Sequence, residues 1–210
     1  MQDVLPVCPC SSGFTLPFLQ IIPFFVILVI LKEKCGGYPM AKILVVVDMQ
    51  NDFIGGALGT PEAVAIVPYV KHLIETFDGK VLFTRDTHFP DYLNTQEGKN
   101  LPVKHCIKDT TGWQIHPELE TLRKTDAIDK LTFGSSALPD ILAKEDAIES
   151  ITFIGLCTDI CVISNAMVTK AFFPEVPLYV DAKACAGVTP QSHKNALEAM
   201  KMCQITIVNE

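Results

Sequence analysis

The chain has 210 residues, 49% of them hydrophobic and 20% charged, which suits one α/β-sized domain with a sizeable core. Its formal net charge is −7 with no basic stripe, which argues against a general nucleic-acid binder. Cysteines occur at irregular spacings without paired C-x₂-C units, and Cys106, Cys157, Cys161, Cys185 and Cys203 lie in or beside apolar segments, so reduced thiols and a cytoplasmic protein are expected.

Residues 14–31 (FTLPFLQIIPFFVILVIL) are nearly continuous apolar sequence, followed by Lys32, Glu33 and Lys34. Their length is borderline for a membrane span, and Pro17, Gln20 and Pro23 weaken them as a helix. No basic region precedes them, so they match a secretory signal poorly. Two readings stay open for residues 1–39. They form an N-terminal membrane anchor, or they are upstream sequence ahead of a true start at Met40, which Ala41, Lys42 and a clean strand follow at once. Gly36 and Gly37, if encoded GGA-GGN, would supply a ribosome-binding run before the Met40 codon. The expected organisation is an extension over 1–39 and one domain over 40–210.

Residues 43–47 (ILVVV) form the continuous aliphatic run of a central parallel strand, and Asp48 follows directly. An acid there serves as a turn former or helix cap, or as a carboxylate at the active edge of a sheet. Gly55, Gly56 and Gly59 mark a loop. Residues 61–77 read as a helix with Val64, Val67, Val70, Leu73, Ile74 and Phe77 on one face; His72 on it is assigned no role.

Residues 81–84 (VLFT) are a second strand, and Arg85-Asp86-Thr87-His88 follows. The D-x-H spacing brings an oxygen and an imidazole near one point, a weak metal signal alone. Glu97 and His105 come next, in a polar stretch with Gly98 and Pro102 that shows no strand or helix pattern; long loops of this kind are usually functional or mobile. One Asp, one Glu and two His make a ligand set for zinc, iron or manganese. His116, before Pro117, is expected to be structural.

Residues 118–123 read as a short helix and 127–128 as an abbreviated strand ending in Asp129-Lys130. A lysine is ordinarily a solvated charge, yet Lys130 stands at a strand end, as Asp48 does. Residues 138–144 are another helix. The stretch 151–162 (ITFIGLCTDICV) reads as a buried strand broken at Gly155, with apolar spacing turning helical from Thr158. Cys161 thus stands at a strand-to-helix turn, where N–H groups and the helix dipole favour a thiolate; the ordinary alternative is a small buried core residue. Residues 178–180 and 205–208 are strands with a helix over 191–202 between them. The fold class expected is α/β, a three-layer α/β/α sandwich around a central parallel sheet, with Asp48, Asp86, His88, Lys130 and Cys161 converging at one edge.

Five segments in order carry a family resemblance: VVDMQNDF (46–53), RDTH (85–88), PVKHC (102–106) with GW and HP after it, DKLTF (129–133) and GLCTDICV (155–162). Together they resemble the isochorismatase-like cysteine hydrolases, and within them the nicotinamidases, over residues 41–210. The resemblance implies an Asp-Lys-Cys triad at Asp48, Lys130 and Cys161. It implies a divalent metal, zinc foremost and iron or manganese otherwise, on Asp86, His88 and His105, with Glu97 as the further ligand of some nicotinamidases. It implies a cis Leu156–Cys157 peptide, an oxyanion hole made by the N–H groups of Cys157 and Cys161, and Phe53 and Phe133 against a pyridine ring. Phe133 stands where Tyr is common, and Leu101 lies near where Trp or Phe is often seen.

The implied activity is hydrolysis of nicotinamide to nicotinate and ammonia through a cysteine thioester, in NAD salvage. The implied partner is a small amide, without nucleic acid, and with a membrane only if residues 14–31 are an anchor; a homo-oligomer is left open. Two alternatives stand beside it: a metal-free cysteine amidase acting on a carbamoyl or ureido compound, and a catalytically silent small-molecule or metal-binding protein of the same fold. An isochorismatase proper is disfavoured, because that branch lacks the nucleophilic cysteine.

Overall fold

The computed structural model describes residues 40–210, so both readings of residues 1–39 lie outside the described residues. Among the described residues, no helix is long and apolar enough to cross a membrane.

Six strands, β1 (Ala41–Val47), β2 (Lys80–Asp86), β3 (Ile128–Lys130), β4 (Ile148–Leu156), β5 (Leu178–Ala186) and β6 (Thr206–Val208), form one sheet in the order β3-β2-β1-β4-β5-β6. Every neighbouring pair is parallel. The helices are α1 (Asn51–Ile54), α2 (Pro61–Thr76), α3 (Gln96–Asn100), α4 (Pro117–Glu120), α5 (Leu138–Leu142), α6 (Ile163–Phe172) and α7 (Pro190–Met202).

The aliphatic run of β1 follows from burial on both faces of the sheet. Ile43, Val45 and Val47 pack with Leu138 and Leu142 of α5, Ala166 of α6, and Leu197 and Met200 of α7. Leu44 and Val46 point the other way, onto Ala63, Ile66, Val67, Val70 and Ile74 of α2. The result is the expected three-layer α/β/α sandwich. Local chemistry agrees with it: Thr60 caps α2 by accepting from Ala63 N, with Pro61 in the first turn, and Thr189 and Ser192 form a reciprocal capping box on α7.

Several elements differ from the sequence expectation. The buried stripe of α2 runs through Ala63 and Ile66, and Val64 is exposed, because a helix that buries Ala63, Ile66, Val67, Val70 and Ile74 turns Val64 away from that face. Gly155 does not break β4, which runs to Leu156; Gly155 takes φ 114°, and a Cβ there would sit 2.1 Å from Val47 O. Only glycine lets β4 lie this close to β1. β5 is longer than residues 178–180, since Asp181 and Lys183 interrupt its apolar pattern without ending the strand. The stretch after β2 is not patternless: it contains a 3₁₀ turn (Tyr92–Asn94) and α3, elements too short to show a stripe. β3 covers residues 128–130, so Lys130 is inside the strand.

In this strand order β1 and β4 are neighbours whose onward connections run to opposite sides, β1 to β2 and β4 to β5, and a crevice opens outside their carboxyl ends. Asp48 follows β1 and the turn bearing Cys161 follows β4, one on each side of that crevice.

Candidate active site and metal centre

Asp48 leaves β1 with φ 48°, a left-handed conformation that non-glycine residues hold at a cost and that concentrates at functional sites. It caps no helix. Its Oδ1 accepts from Thr84 Oγ1 at 2.7 Å, and its Oδ2 lies 2.6 Å from Lys130 Nζ. The same ammonium donates to Cys161 Sγ at 3.4 Å and to Asp86 Oδ1 at 3.1 Å. Asp48 is 0% exposed, Lys130 3% and Cys161 4%, so the three groups share a dry floor. A lone ammonium there would be very costly, and two facing carboxylates offset that cost.

Burial opposes the charge of Lys130, but Asp48, Cys161 and Asp86 outweigh it and hold its pKa well above the ordinary lysine value. Burial raises the pKa of Asp48, with Lys130 pulling the other way. Burial and then Asp48 push the Cys161 thiol well above its ordinary range; Lys130 lowers it, as expected for a neighbouring cation, without prevailing. The resting sulfur is therefore a thiol, and a raised Asp48 is the better base to take its proton.

Cys161 is presented by a π-turn over Thr158–Val162 that runs into α6, and the Leu156–Cys157 peptide before it is cis. Asn165, fully buried one turn after Cys161, donates to Cys161 O at 2.8 Å and to Phe133 O at 3.1 Å, and accepts from Ser135 N at 2.9 Å. It ties the Cys161 turn to the loop after Lys130.

The second cluster lies on the other side of Asp86. Main-chain register places Asp86 beside Lys130, and a bridge between His88 and Ile107 draws the His105 loop alongside. His88 Nε2 lies 2.9 Å from Asp86 Oδ2 and 3.4 Å from Glu97 Oε1; His105 Nε2 lies 3.7 Å and 3.6 Å from the same oxygens. One ligand atom from each of the four residues stands within 4.8 Å of the others. Ligands held at roughly 2.0–2.2 Å from one metal have such separations.

Two further observations fit a cation. His88 Nε2 is buried and, despite its nearness to Asp86, makes no hydrogen bond. His105 Nδ1 pairs with Val103 O at 2.8 Å, an outer bond that leaves Nε2 as the free lone pair. Burial works against a His88 imidazolium, yet Asp86 and Glu97 raise its pKa to about 9. A divalent cation competes for the place that proton would hold. Two imidazoles and two carboxylates suit zinc, iron or manganese.

Supports that the sequence reading did not single out hold this corner. Buried Gln50 donates to Asp86 O at 2.9 Å and Trp113 O at 2.8 Å and accepts from Asp86 N at 2.7 Å. Tyr92, fully buried, sets its ring 4.6 Å from that of His88 and 5.1 Å from that of His105, and donates to Leu101 O at 2.9 Å. Gln50 and Asn165 did leave a signal. One is an amide three residues past a buried aliphatic run, and the other lies four residues past the cysteine on the same helical face.

A cleft of about 750 Å³ opens over both clusters. Asp86, Glu97, His105, Cys157 and Cys161 line it, together with Phe53, Leu101 and Phe133. The Phe53 ring stands 5.5 Å from that of His105. His116 is not among the lining residues; its N donates to Met49 O, in keeping with a structural role.

Comparison with known proteins agrees with this geometry. The chain is similar to the nicotinamidase/pyrazinamidase of Mycobacterium tuberculosis, 25% identical over 184 residues that span 80% of this chain and 98% of that protein. Among solved structures it resembles the pyrazinamidase of Pyrococcus horikoshii in complex with zinc, with a TM-score of 0.69 and 28% identity over 81% of this chain and 99% of that one. It also resembles the N-carbamoylsarcosine amidase of Thermoplasma acidophilum, with a TM-score of 0.64 and 29% identity over 80% and 95% of the two chains. The family model described as the Isochorismatase domain matches residues 42–210, and the chain belongs to the isochorismatase family.

Proposed function

We propose that this protein is a metal-dependent nicotinamidase that converts nicotinamide and water to nicotinate and ammonia. The observation that carries this reading is Asp86, whose Oδ1 meets the ammonium of the Asp48–Lys130–Cys161 group while its Oδ2 belongs to the four-ligand cluster with His88, Glu97 and His105. A nucleophile and a metal centre within one cleft suit a substrate with an amide at one end and a ring nitrogen at the other. The similarity to nicotinamidases and pyrazinamidases supports the same reading.

The substrate ring packs against Phe53 and Phe133, with Leu101 nearby. A divalent cation held by Asp86, His88, Glu97 and His105 would supply a Lewis acid for the ring nitrogen. Asp48 takes the Cys161 proton as sulfur bonds to the amide carbon, and Lys130 offsets the charge that develops on sulfur. The carbonyl oxygen becomes an oxyanion facing the N–H groups of Cys157 and Cys161, worth ~3 kcal/mol per donor. As the C–N bond breaks, Asp48 passes its proton to the departing ammonia and a thioester remains. Water then attacks the thioester carbon and Asp48 accepts its proton. The C–S bond breaks, nicotinate leaves, and the proton returns to Cys161.

The test is ammonia release from nicotinamide by the purified protein, before and after chelation and restoration of zinc, iron or manganese. Activity lost to chelation and restored by metal supports the proposal; no release with any metal overturns it. The likeness to N-carbamoylsarcosine amidase favours one second reading, a metal-free amidase acting on a carbamoyl or ureido compound. Turnover of such a compound by metal-free protein would favour it. A silent binding protein would leave both assays blank. We place the enzyme in cytoplasmic NAD salvage, a setting in which the thiols found free among the described residues stay reduced.

A further inference from the structure

The cleft changes character from floor to mouth. At the floor, Asp48, Lys130 and Cys161 are at most 4% exposed, so a carboxamide that reaches the Cys161 sulfur enters a closed, polar end of the cleft. At the mouth stand Leu101 (37% exposed), Phe133 (44%), Val188 (51%) and Leu131 (63%), all lining the same cavity. The volume of about 750 Å³ is in the range of pockets that hold drug-sized ligands, several times what a nine-atom pyridine carboxamide fills. Large apolar side chains left this exposed around one opening mark a surface that something apolar covers.

Resting on the amidase reading, we infer that the cleft takes aromatic carboxamides that carry an apolar substituent on the ring, and binds them more tightly than nicotinamide itself. The two polar ends of the site fix where the substituent goes. The carboxamide is held at the Cys161 floor and the ring nitrogen at the Asp86–His88–Glu97–His105 corner. Carbon 5 of the pyridine is meta to both, so a group there points away from both polar ends, and the apolar lining left to receive it includes Leu131, Phe133 and Val188. A group on the amide nitrogen meets the closed floor instead. Ammonia, and not an amine, is then the product. One well-buried apolar group is worth about 10-fold or more in selectivity.

The experiment compares kcat/KM for nicotinamide, 5-propylnicotinamide, 5-phenylnicotinamide, 5-carboxynicotinamide and N-propylnicotinamide with the metal-loaded full chain. The 5-propyl and 5-phenyl compounds should exceed nicotinamide about 10-fold through a lower KM, with the 5-carboxy compound poorer and the N-propyl compound inert. In the Leu131→Ser and Val188→Ser variants, kcat/KM for the two apolar amides should fall about 10-fold further than that for nicotinamide. In parallel, thermal stabilisation by 5-phenylnicotinic acid is compared with that by nicotinic acid, which needs no turnover. Normal hydrolysis of nicotinamide with 5-alkyl and 5-aryl amides equal or inferior overturns the inference and leaves the nicotinamidase reading intact. If no amide is hydrolysed, that reading falls, and the binding comparison alone decides: equal stabilisation by the two acids overturns the apolar mouth, and a larger shift with the phenyl compound supports it.

Discussion

The two halves of the site are both largely buried, Glu97 alone being half-buried, but they are differently built. Asp48, Lys130 and Cys161 come from the ends or the sequels of β1, β3 and β4, and ladder hydrogen bonds through the sheet set their spacing. Of the metal-type ligands, only Asp86 lies in a strand; His88 and His105 sit in loop, and Glu97 rides on a five-residue helix. The loop is held by side chains: Gln50 grips Asp86, Tyr92 lies against both imidazoles, and Trp113 donates to Thr87 Oγ1 at 2.9 Å. The triad is rigid because the sheet is rigid, whereas the metal corner depends on a few buried polar contacts. The first should withstand changes that dismantle the second.

The largest test of that separation is Cys161→Ala. It should lower kcat at least ~10⁴-fold, as loss of a nucleophile does in other hydrolases, while bound metal measured by elemental analysis stays stoichiometric. A Cys161→Ala protein with ordinary turnover would end the proposed chemistry. Gln50→Leu addresses the other half. It leaves the Asp86 N–H and C=O buried without their partner, so metal affinity should fall about 10–100-fold. Chelation of the parent protein should lower Tm by ~5–10 °C, and by the same amount in Cys161→Ala. A chelation shift that vanished in Cys161→Ala would show the halves to be one unit.

Asn165→Ala breaks the triad side without touching the ligands. The Ser135 N–H loses its buried acceptor, at about 1–3 kcal/mol, and the Cys161 turn loses its tie to the Phe133 loop. We expect kcat to fall about 10-fold with metal content unchanged. Thiol chemistry adds a sign. Because burial and Asp48 raise the Cys161 pKa, less thiolate is present at any given pH than for a free cysteine. Alkylation by iodoacetamide without substrate should therefore be slow near neutrality and still rising above pH 9. A rate already level at pH 7 would mean that Lys130 prevails over burial.

The same contrast governs how much was legible in the sequence. Residues 43–47 announce a doubly covered strand because a short aliphatic, Val-rich run that stops at a charged residue suits a strand buried on both faces, and the residue after such a strand falls at the ligand-binding edge by topology. Asp48, Lys130 and Cys161 were picked out as candidates from their places at or near strand ends, with the family resemblance implying their roles, and the structure brings the three side chains together. Side-chain supports follow no period. Nothing in the spacing says that Gln50 closes on Asp86, 36 residues away, or that Tyr92 lies against two imidazoles. Gly155 misled for a related reason: glycine in a strand reads as a break until the neighbouring Val47 carbonyl shows what it makes room for.

The smallest expected effect concerns a tether outside both halves. Thr158, at the start of the Cys161 turn, shares a 2.8 Å hydrogen bond with His193 Nδ1 on α7, and the carboxylate of Asp159 accepts from Val188 N at 3.1 Å. The cleft wall at Val188 and the turn of Cys161 are thus pinned together from behind. Losing one neutral hydrogen bond costs about 1 kcal/mol, so His193→Ala should lower kcat no more than about 5-fold, and His193→Gln, which can still pair with Thr158, should restore much of it. Burial lowers the His193 pKa, with Asp159 opposing and Lys194 adding to the shift. The fold therefore favours the neutral ring. The stability it contributes is intact above the unfolded value near 6.5 and declines as pH falls through 6.5 toward the lower folded value. Between pH 7 and 5.5 the parent protein should lose slightly more Tm than His193→Gln. Identical slopes would mean that the fold does not favour the neutral ring of His193, whatever its hydrogen bond to Thr158 contributes to the Cys161 turn.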